Sequence, residues 1–183
     1  MTGEKILTIA GALRAGSTNR MLIAEARRLY GPAEYSEADL RLPLYDGDLE
    51  TAEGIPAAVT RLAEQIAAAD GIVISTPEYN KMIPGVLKNA LDWVSRTKGN
   101  PWADKPVAIL SAAAGRAGGD RSQFSLRLAL APFQVRIVPG PEVLIASSAQ
   151  AFDADGHLMD ERAIKAVTGL MAALRREMAR TGF

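Results

Sequence analysis

The stretch Gly71–Arg96, GIVISTPEYNKMIPGVLKNALDWVSR, limits what this chain can fold into more than any other. Ile72–Ile74 is a continuous β-branched run, the pattern of a strand buried on both faces. Ser75-Thr76-Pro77 ends it, and Glu78-Tyr79-Asn80 follows as a polar turn. Pro84-Gly85 then opens an amphipathic segment with Val86, Leu87, Ala90, Leu91 and Val94 on one side. Proline suits a first helical turn because its missing N–H has no partner there anyway. Strand, polar loop and helix in this order predict a parallel sheet with its ligand-binding edge at the strands' carboxyl ends.

The alternation continues along the chain. Lys5–Ala10 reads as the first strand, and Asn19–Tyr30 as a helix with Met21, Leu22, Ala26, Leu29 and Tyr30 inward. Ala33–Asp39 is a weaker strand, leading into a loop over Arg41–Gly54 with turn chemistry at Pro43 and Asp46-Gly47. Ile55–Ala69 is helical, with Ile55, Val59, Leu62 and Ile66 at helical spacing. Pro106–Ser111 is another buried strand, and a glycine-rich loop, Ala112–Gly119, precedes a helix to about Ala131. Gln134–Val138 and Val143–Ile145 are strand pieces broken by Pro139-Gly140-Pro141. A closing helix over about Asp160–Arg180 carries Ile164, Val167, Leu170, Met171, Leu174 and Met178. Strands separated by helices predict an α/β fold: a flavodoxin-like, doubly wound, five-stranded parallel sheet in three α/β/α layers. Neither repeat nor linker divides the 183 residues, so residues 1–183 are expected to form a single domain.

Composition then narrows the chemistry. Basic and acidic residues both number 21, so the formal charge is zero and no electrostatic argument favours nucleic acid or an anionic membrane. The chain has no cysteine, which excludes disulfides, a thiolate nucleophile and cysteine metal sites. A single histidine, His157, offers at most one metal ligand, and no metal site is expected. Without a membrane-length apolar run or a leader pattern, the expected location is the cytoplasm. His157 and the tail after Arg180 read as solvent-exposed.

Three loops fall at strand carboxyl ends. Gly11–Arg20 offers Arg14, the hydroxyls of Ser17 and Thr18, the Asn19 amide and the free N–H groups of a helix start, a set that suits a phosphate. Its plain structural reading is a helix capped by Thr18 or Asn19 with a solvated arginine. It matches neither a Walker loop nor a GxGxxG turn. Thr76–Asn80 supplies a proline-fixed backbone, the Glu78 carboxylate, the Tyr79 ring and the Asn80 amide, which together can hold a flat heteroaromatic ring or form a surface turn. Ser111–Gly119 has small residues that let a ligand approach the backbone, or that simply flex. Convergence of all three on one sheet edge favours a ligand with a phosphate tail and a flat ring, and a mononucleotide such as FMN fits.

These residues resemble the NAD(P)H-dependent FMN reductases, which include quinone, chromate and azo-dye reductases. The family's Gly-Ser-Leu-Arg followed by Ser-x-Asn is similar to Gly11-Ala12-Leu13-Arg14 and Ser17-Thr18-Asn19. Its Pro-Glu-Tyr-Asn and the helix motif Pro-Gly, Leu-Lys-Asn-x-Leu-Asp-Trp stand here as Pro77–Asn80, Pro84-Gly85, Leu87–Asn89 and Leu91–Trp93. Ser111, Gly115, Gly118-Gly119 and Leu126-Arg127 match the third signature. The resemblance implies bound FMN, with phosphate against Arg14, Ser17, Thr18 and Asn19. The ring would rest on Pro77, Glu78, Tyr79 and Asn80, with Ser111, Gly115, Gly118 and Gly119 along its other edge. Ala12 departs from the family's serine and removes a hydroxyl contact of about 0.5–3 kcal/mol. NADPH or NADH would reduce the flavin, and a small acceptor (quinone, free flavin, azo compound or metal oxyanion) would take the electrons, with no side chain required as catalytic acid or base. Arg116 or Arg20 is a candidate for a nicotinamide-side phosphate, with solvated arginines the plainer reading. The resemblance also implies a homodimer or homotetramer, with Trp93 a candidate for the interface or the core; Trp102 could border the flavin or pack its own loop. A non-enzymatic flavodoxin-like electron carrier, or an FMN-binding module without turnover, is the alternative. A phosphotransferase lacks both a P-loop and a carboxylate set.

Overall fold

The computed structural model describes residues 3–180. Its sheet is entirely parallel. In spatial order it runs β2 (Glu34–Glu37), β1 (Lys5–Ala10), β3 (Gly71–Thr76), β4 (Pro106–Ala112), and then a fifth position filled by two short pieces. β5 (Arg136–Ile137) pairs with the lower end of β4 at Pro106 and Val107, and β6 (Val143–Ile145) with its upper end at Leu110–Ala112. The expected five-stranded doubly wound sheet is therefore present, with the Pro139-Gly140-Pro141 break splitting its last strand. Proline cannot donate to a strand ladder, which accounts for the interruption.

Strand residues alternate between two cores, as the two-residue period of a strand requires. Ile72, Ile74, Val107 and Ile109 face one core, and Val73, Ala108 and Leu110 the other. Helices α1 (Thr18–Tyr30) and α6 (Glu161–Met178) cover one face. α3 (Ala57–Ala68), α4 (Gly85–Val94) and α5 (Asp120–Leu130) cover the other. With both faces covered, β3 and β4 are buried at every residue. That is why they read as uninterrupted apolar runs.

Three details differ from the sequence reading, and the two tryptophans left open there are settled. The span Arg41–Gly54 holds a helix, α2 (Gly47–Glu53), capped by Asp46, whose carboxylate accepts the Asp48 N–H at 2.9 Å. Ser17, rather than Thr18 or Asn19, caps α1. Met21 lies on the outer side of α1 and is 36% exposed. Trp93 is fully buried, so it belongs to the core and not to a surface. Trp102 is also buried and packs against Phe133 at 6.1 Å. Its loop precedes β4, at the amino edge of the sheet, so it does not border the ligand edge. His157 is half-exposed, with Nδ1 3.5 Å from the buried Glu25 carboxylate. Of the tail after Arg180, Thr181–Phe183 lie outside the described residues.

Candidate active site

The parallel sheet places the loops after β1, β3 and β4 on one edge, and hydrogen bonds knit them together. Gly11 donates to the Ser75 carbonyl at 2.8 Å. A Cβ at Gly11 would lie 3.0 Å from Pro77 Cδ and 3.2 Å from Pro84 Cγ, so the first loop lies close against the second at a residue without a side chain. Asn19, 1% exposed, is the central tie. Its Nδ2 donates to the Ala112 carbonyl at 2.8 Å, and its Oδ1 accepts the Ser75 hydroxyl at 2.8 Å and the Ala112 N–H at 3.1 Å. The Asn19 side chain, grouped on sequence with the phosphate contacts, is thus fully engaged within the protein and fixes the ends of β3 and β4 relative to α1.

The groups left open lie in the turn before α1. Arg14, Ala15 and Gly16 are exposed. A Cβ at Gly16 would meet Arg14 Nη1 at 3.3 Å, so the guanidinium folds over its own loop. Among the described residues, the N–H groups of Ala15, Gly16 and Thr18 meet no protein acceptor. Ser17 is 4% exposed and its hydroxyl accepts the Asn19 N–H at 3.2 Å, while Thr18 donates to the Ser148 hydroxyl at 3.1 Å. Free N–H groups at a helix start beside an arginine form an anion cradle. Ala12, where the family's serine would stand, is 4% exposed.

In the second loop, Pro77 is buried and Tyr79 is 53% exposed. Tyr79 and Met82 exchange backbone hydrogen bonds at 3.1 Å around Asn80 and Lys81, both with positive φ (50° and 68°). That tight turn needs left-handed residues, which asparagine tolerates well. Glu78 reaches α5, where Oε2 accepts the Ser122 N–H at 3.3 Å, and the Ile83 N–H donates to Ser125 Oγ at 3.1 Å. Glu78 therefore caps α5, whose own cap residue, Gly119, has no side chain to do so.

The glycine loop is a wall built from packing. Ser111 is fully buried; its hydroxyl donates to the Gly118 carbonyl at 2.7 Å and accepts Gln123 Nε2 at 3.0 Å. A Cβ at Gly118 would lie 2.7 Å from the Leu144 carbonyl carbon, and one at Gly119 2.8 Å from Ser111 Cβ. These glycines are required by the approach of β6 and Ser111, whereas Gly115 faces open space. Arg116 is exposed, and Arg20 pairs with Glu37 at 2.5 Å.

A further loop, residues 38–46 after β2, joins the site and was not singled out on sequence. Arg41 Nη2 donates to the Leu13 carbonyl at 3.1 Å. Pro43 and Tyr45 bond to Asn89 and Trp93 of α4. The sequence signal for it was the Asn89/Trp93 spacing, four residues apart on a helix. The Tyr45 hydroxyl donates to Glu50 at 3.1 Å, and this bond, followed by burial, pushes its pKa up. Among the described residues, no cluster of acidic or histidine side chains forms a metal site, and no helix is long and apolar enough to cross a membrane.

Residues 4–150 match the family described as NADPH-dependent FMN reductase. This chain belongs to that family. It is 46% identical over 173 residues to an NAD(P)H-dependent FMN reductase of Pseudomonas aeruginosa, covering 93% of each chain. It is 40% identical over 176 residues to a quinone reductase of Escherichia coli, covering 92% of each. The structure of the flavoenzyme FerB, an NAD(P)H:acceptor oxidoreductase of Paracoccus denitrificans, superposes with a TM-score of 0.87 at 32% identity, over 98% of this chain and all of the other. The chain is therefore an oxidoreductase that uses NAD(P)H as electron donor and FMN as flavin cofactor.

Proposed function

We propose that this chain is a cytoplasmic, single-domain FMN enzyme that delivers electrons from NAD(P)H to a quinone-type small molecule. The observation that carries the reading is the anion cradle of Arg14 and the N–H groups of Ala15, Gly16 and Thr18. It lies on the same sheet edge as the half-exposed ring of Tyr79. When bound, FMN would supply the redox chemistry between the nicotinamide and the acceptor. The protein's part is positional. Arg14 and the cradle hold the phosphate, with Ser17 and Thr18 shaping its turn. Pro77, Glu78, Tyr79 and Asn80 carry the ring, and the wall from Ser111 through Gly115, Gly118 and Gly119 closes the far side. Asn19 and Ser111 act from beneath, setting the spacing of the loops. No group need gain or lose a proton at a side chain, and no catalytic residue is assigned. Quinone reduction is favoured because the E. coli relative, at 40% identity, carries that activity in its name.

We also propose that a second copy covers the α5 face, giving a homodimer or homotetramer. Phe124 and Leu128 project one turn apart, 66% and 77% exposed, and Met82 in the neighbouring turn is 57% exposed. An apolar stripe of this kind on a soluble chain marks an interaction surface. An antiparallel α5 pair centred near Phe124 would also bring Asp120 of each copy beside Arg127 of the other.

The deciding test is anaerobic absorbance of the purified protein, before and after NADPH or NADH, followed by addition of a benzoquinone. Flavin bands that bleach with nicotinamide and return with quinone support the proposal. Flavin bands that neither nicotinamide bleaches would leave an electron carrier or binding module, and reoxidation by oxygen or free FMN but not by quinone would remove the quinone assignment.

A further inference from the structure

In the α4 motif Leu87–Trp93, the hydrogen bonds of Asn89 and Trp93 go not to the three ligand loops but to the loop after β2. Asn89 and Trp93 stand four residues apart, so both point from the same side of the helix. They converge on one carbonyl: Pro43 O accepts Asn89 Nδ2 at 2.9 Å and Trp93 Nε1 at 2.8 Å. Asn89 Oδ1 accepts the Tyr45 N–H at 2.8 Å, and the Tyr45 ring stands edge-on to Trp93 at 5.0 Å. Trp93 is fully buried and Asn89 is 9% exposed, so the helix side of the clamp is fixed by packing, while its loop partners Pro43 and Tyr45 lie at the surface. On the other side of Pro43 the same loop extends Arg41. Its Nη1 pairs with Asp39 at 3.2 Å, and its Nη2 donates to the Leu13 carbonyl at 3.1 Å. Leu13 is the residue before Arg14.

We propose that Asn89 and Trp93 are positioning residues for the phosphate loop. By fixing Pro43–Tyr45 they set the point from which Arg41 braces the Leu13 carbonyl, and so the direction in which Arg14 and the following N–H groups face. This inference rests on the reading of residues 11–18 as the phosphate cradle. It differs from a fold-only role in one measurable respect. FMN and riboflavin share the ring and differ by the phosphate, so a displaced phosphate loop weakens FMN alone, whereas a damaged fold weakens both.

The experiment titrates the full chain, wild type and variants, with FMN and with riboflavin. Trp93→Phe keeps an aromatic ring and removes the N–H donor, and the small cavity it leaves in this buried site is controlled for by the riboflavin titration. Arg41→Ala is a surface change that leaves the core intact. Each should weaken FMN by roughly five- to tenfold, the worth of about one hydrogen bond, and riboflavin by less than about twofold. Because the two act in series, the double variant should be little worse than the weaker single one. Losses that are equal for both flavins, or Arg41→Ala with unchanged FMN affinity, overturn the proposal while leaving the cradle reading intact. A wild type that binds FMN no better than riboflavin overturns the cradle reading, and this proposal with it.

Discussion

The loop after β1 and the loop after β4 have nearly the same ingredients, small residues, glycines and one arginine, yet the fold uses them in opposite ways. In residues 11–18 the hydrogen-bonding capacity is left open: among the described residues, the N–H groups of Ala15, Gly16 and Thr18 have no protein acceptor, and Arg14 is exposed. In residues 111–119 the two ends are closed, although 114–117 are exposed: Ser111 is bonded twice within the protein, and Gly118 and Gly119 are pressed against β6 and Ser111. In the proposed function the first loop would bind by offering donors, and the second by presenting a packed edge. Composition alone cannot separate the two, because a glycine that admits a ligand and a glycine that admits a neighbouring strand read alike.

The sharpest way to break this contrast is Gly118→Ala. The added methyl would sit 2.7 Å from the Leu144 carbonyl carbon at a φ of +62°, combining a clash with backbone strain. A loss of about 2–4 kcal/mol is expected, seen as a melting temperature roughly 5–15 °C lower for the flavin-free protein. An unchanged melting temperature would mean the wall is loose and the glycine serves a ligand instead. Arg14→Ala probes the open loop, and there stability and binding should separate. FMN affinity should fall roughly 10- to 100-fold through loss of charged hydrogen bonds, with the flavin-free melting temperature moving by less than about 2 °C. Equal flavin content in the two proteins after identical purification would remove Arg14 from the cradle. Gly115→Ala should have the smallest effect. No atom lies within 4 Å of the added methyl, so thermal stability should match wild type. FMN affinity should fall by roughly two- to fivefold, because the open space the methyl enters is where the proposed ring lies. No loss of flavin there would remove Gly115 from the ring wall.

Much of the architecture was readable because burial leaves a pattern. β1, β3 and β4 are covered on both faces and appear as apolar runs, and α3, α4 and α6 show helical periodicity for the same reason. Helix α2 escaped because it buries no residue, so its seven residues carry no hydrophobic period to detect. Its only marks were Asp46 and Gly54 at the ends, and beside Pro43 these read equally as turn chemistry. In the site, residue types identified the loops but not each side chain's role. Asn19, Ser111 and Glu78 are polar residues next to the ligand edge, and on sequence a buried tie or a helix cap is indistinguishable from a ligand contact. Asn89 and Trp93 lay within a motif already noted, but their partner, Pro43, is separated from Asn89 by 46 residues, beyond the reach of any local pattern.

The broken fifth strand has a consequence for how copies of this chain can meet. An uninterrupted strand on the rim of a parallel sheet is a template on which another chain can extend the ladder. Here one rim is divided into pieces of two and three residues by Pro139 and Pro141, and the opposite rim is a four-residue strand flanked by Glu34 and Glu37. Neither offers a ladder long enough to grow. Rim-to-rim growth, a route to fibrils, is disfavoured at both ends, which leaves the helical faces for the association proposed above.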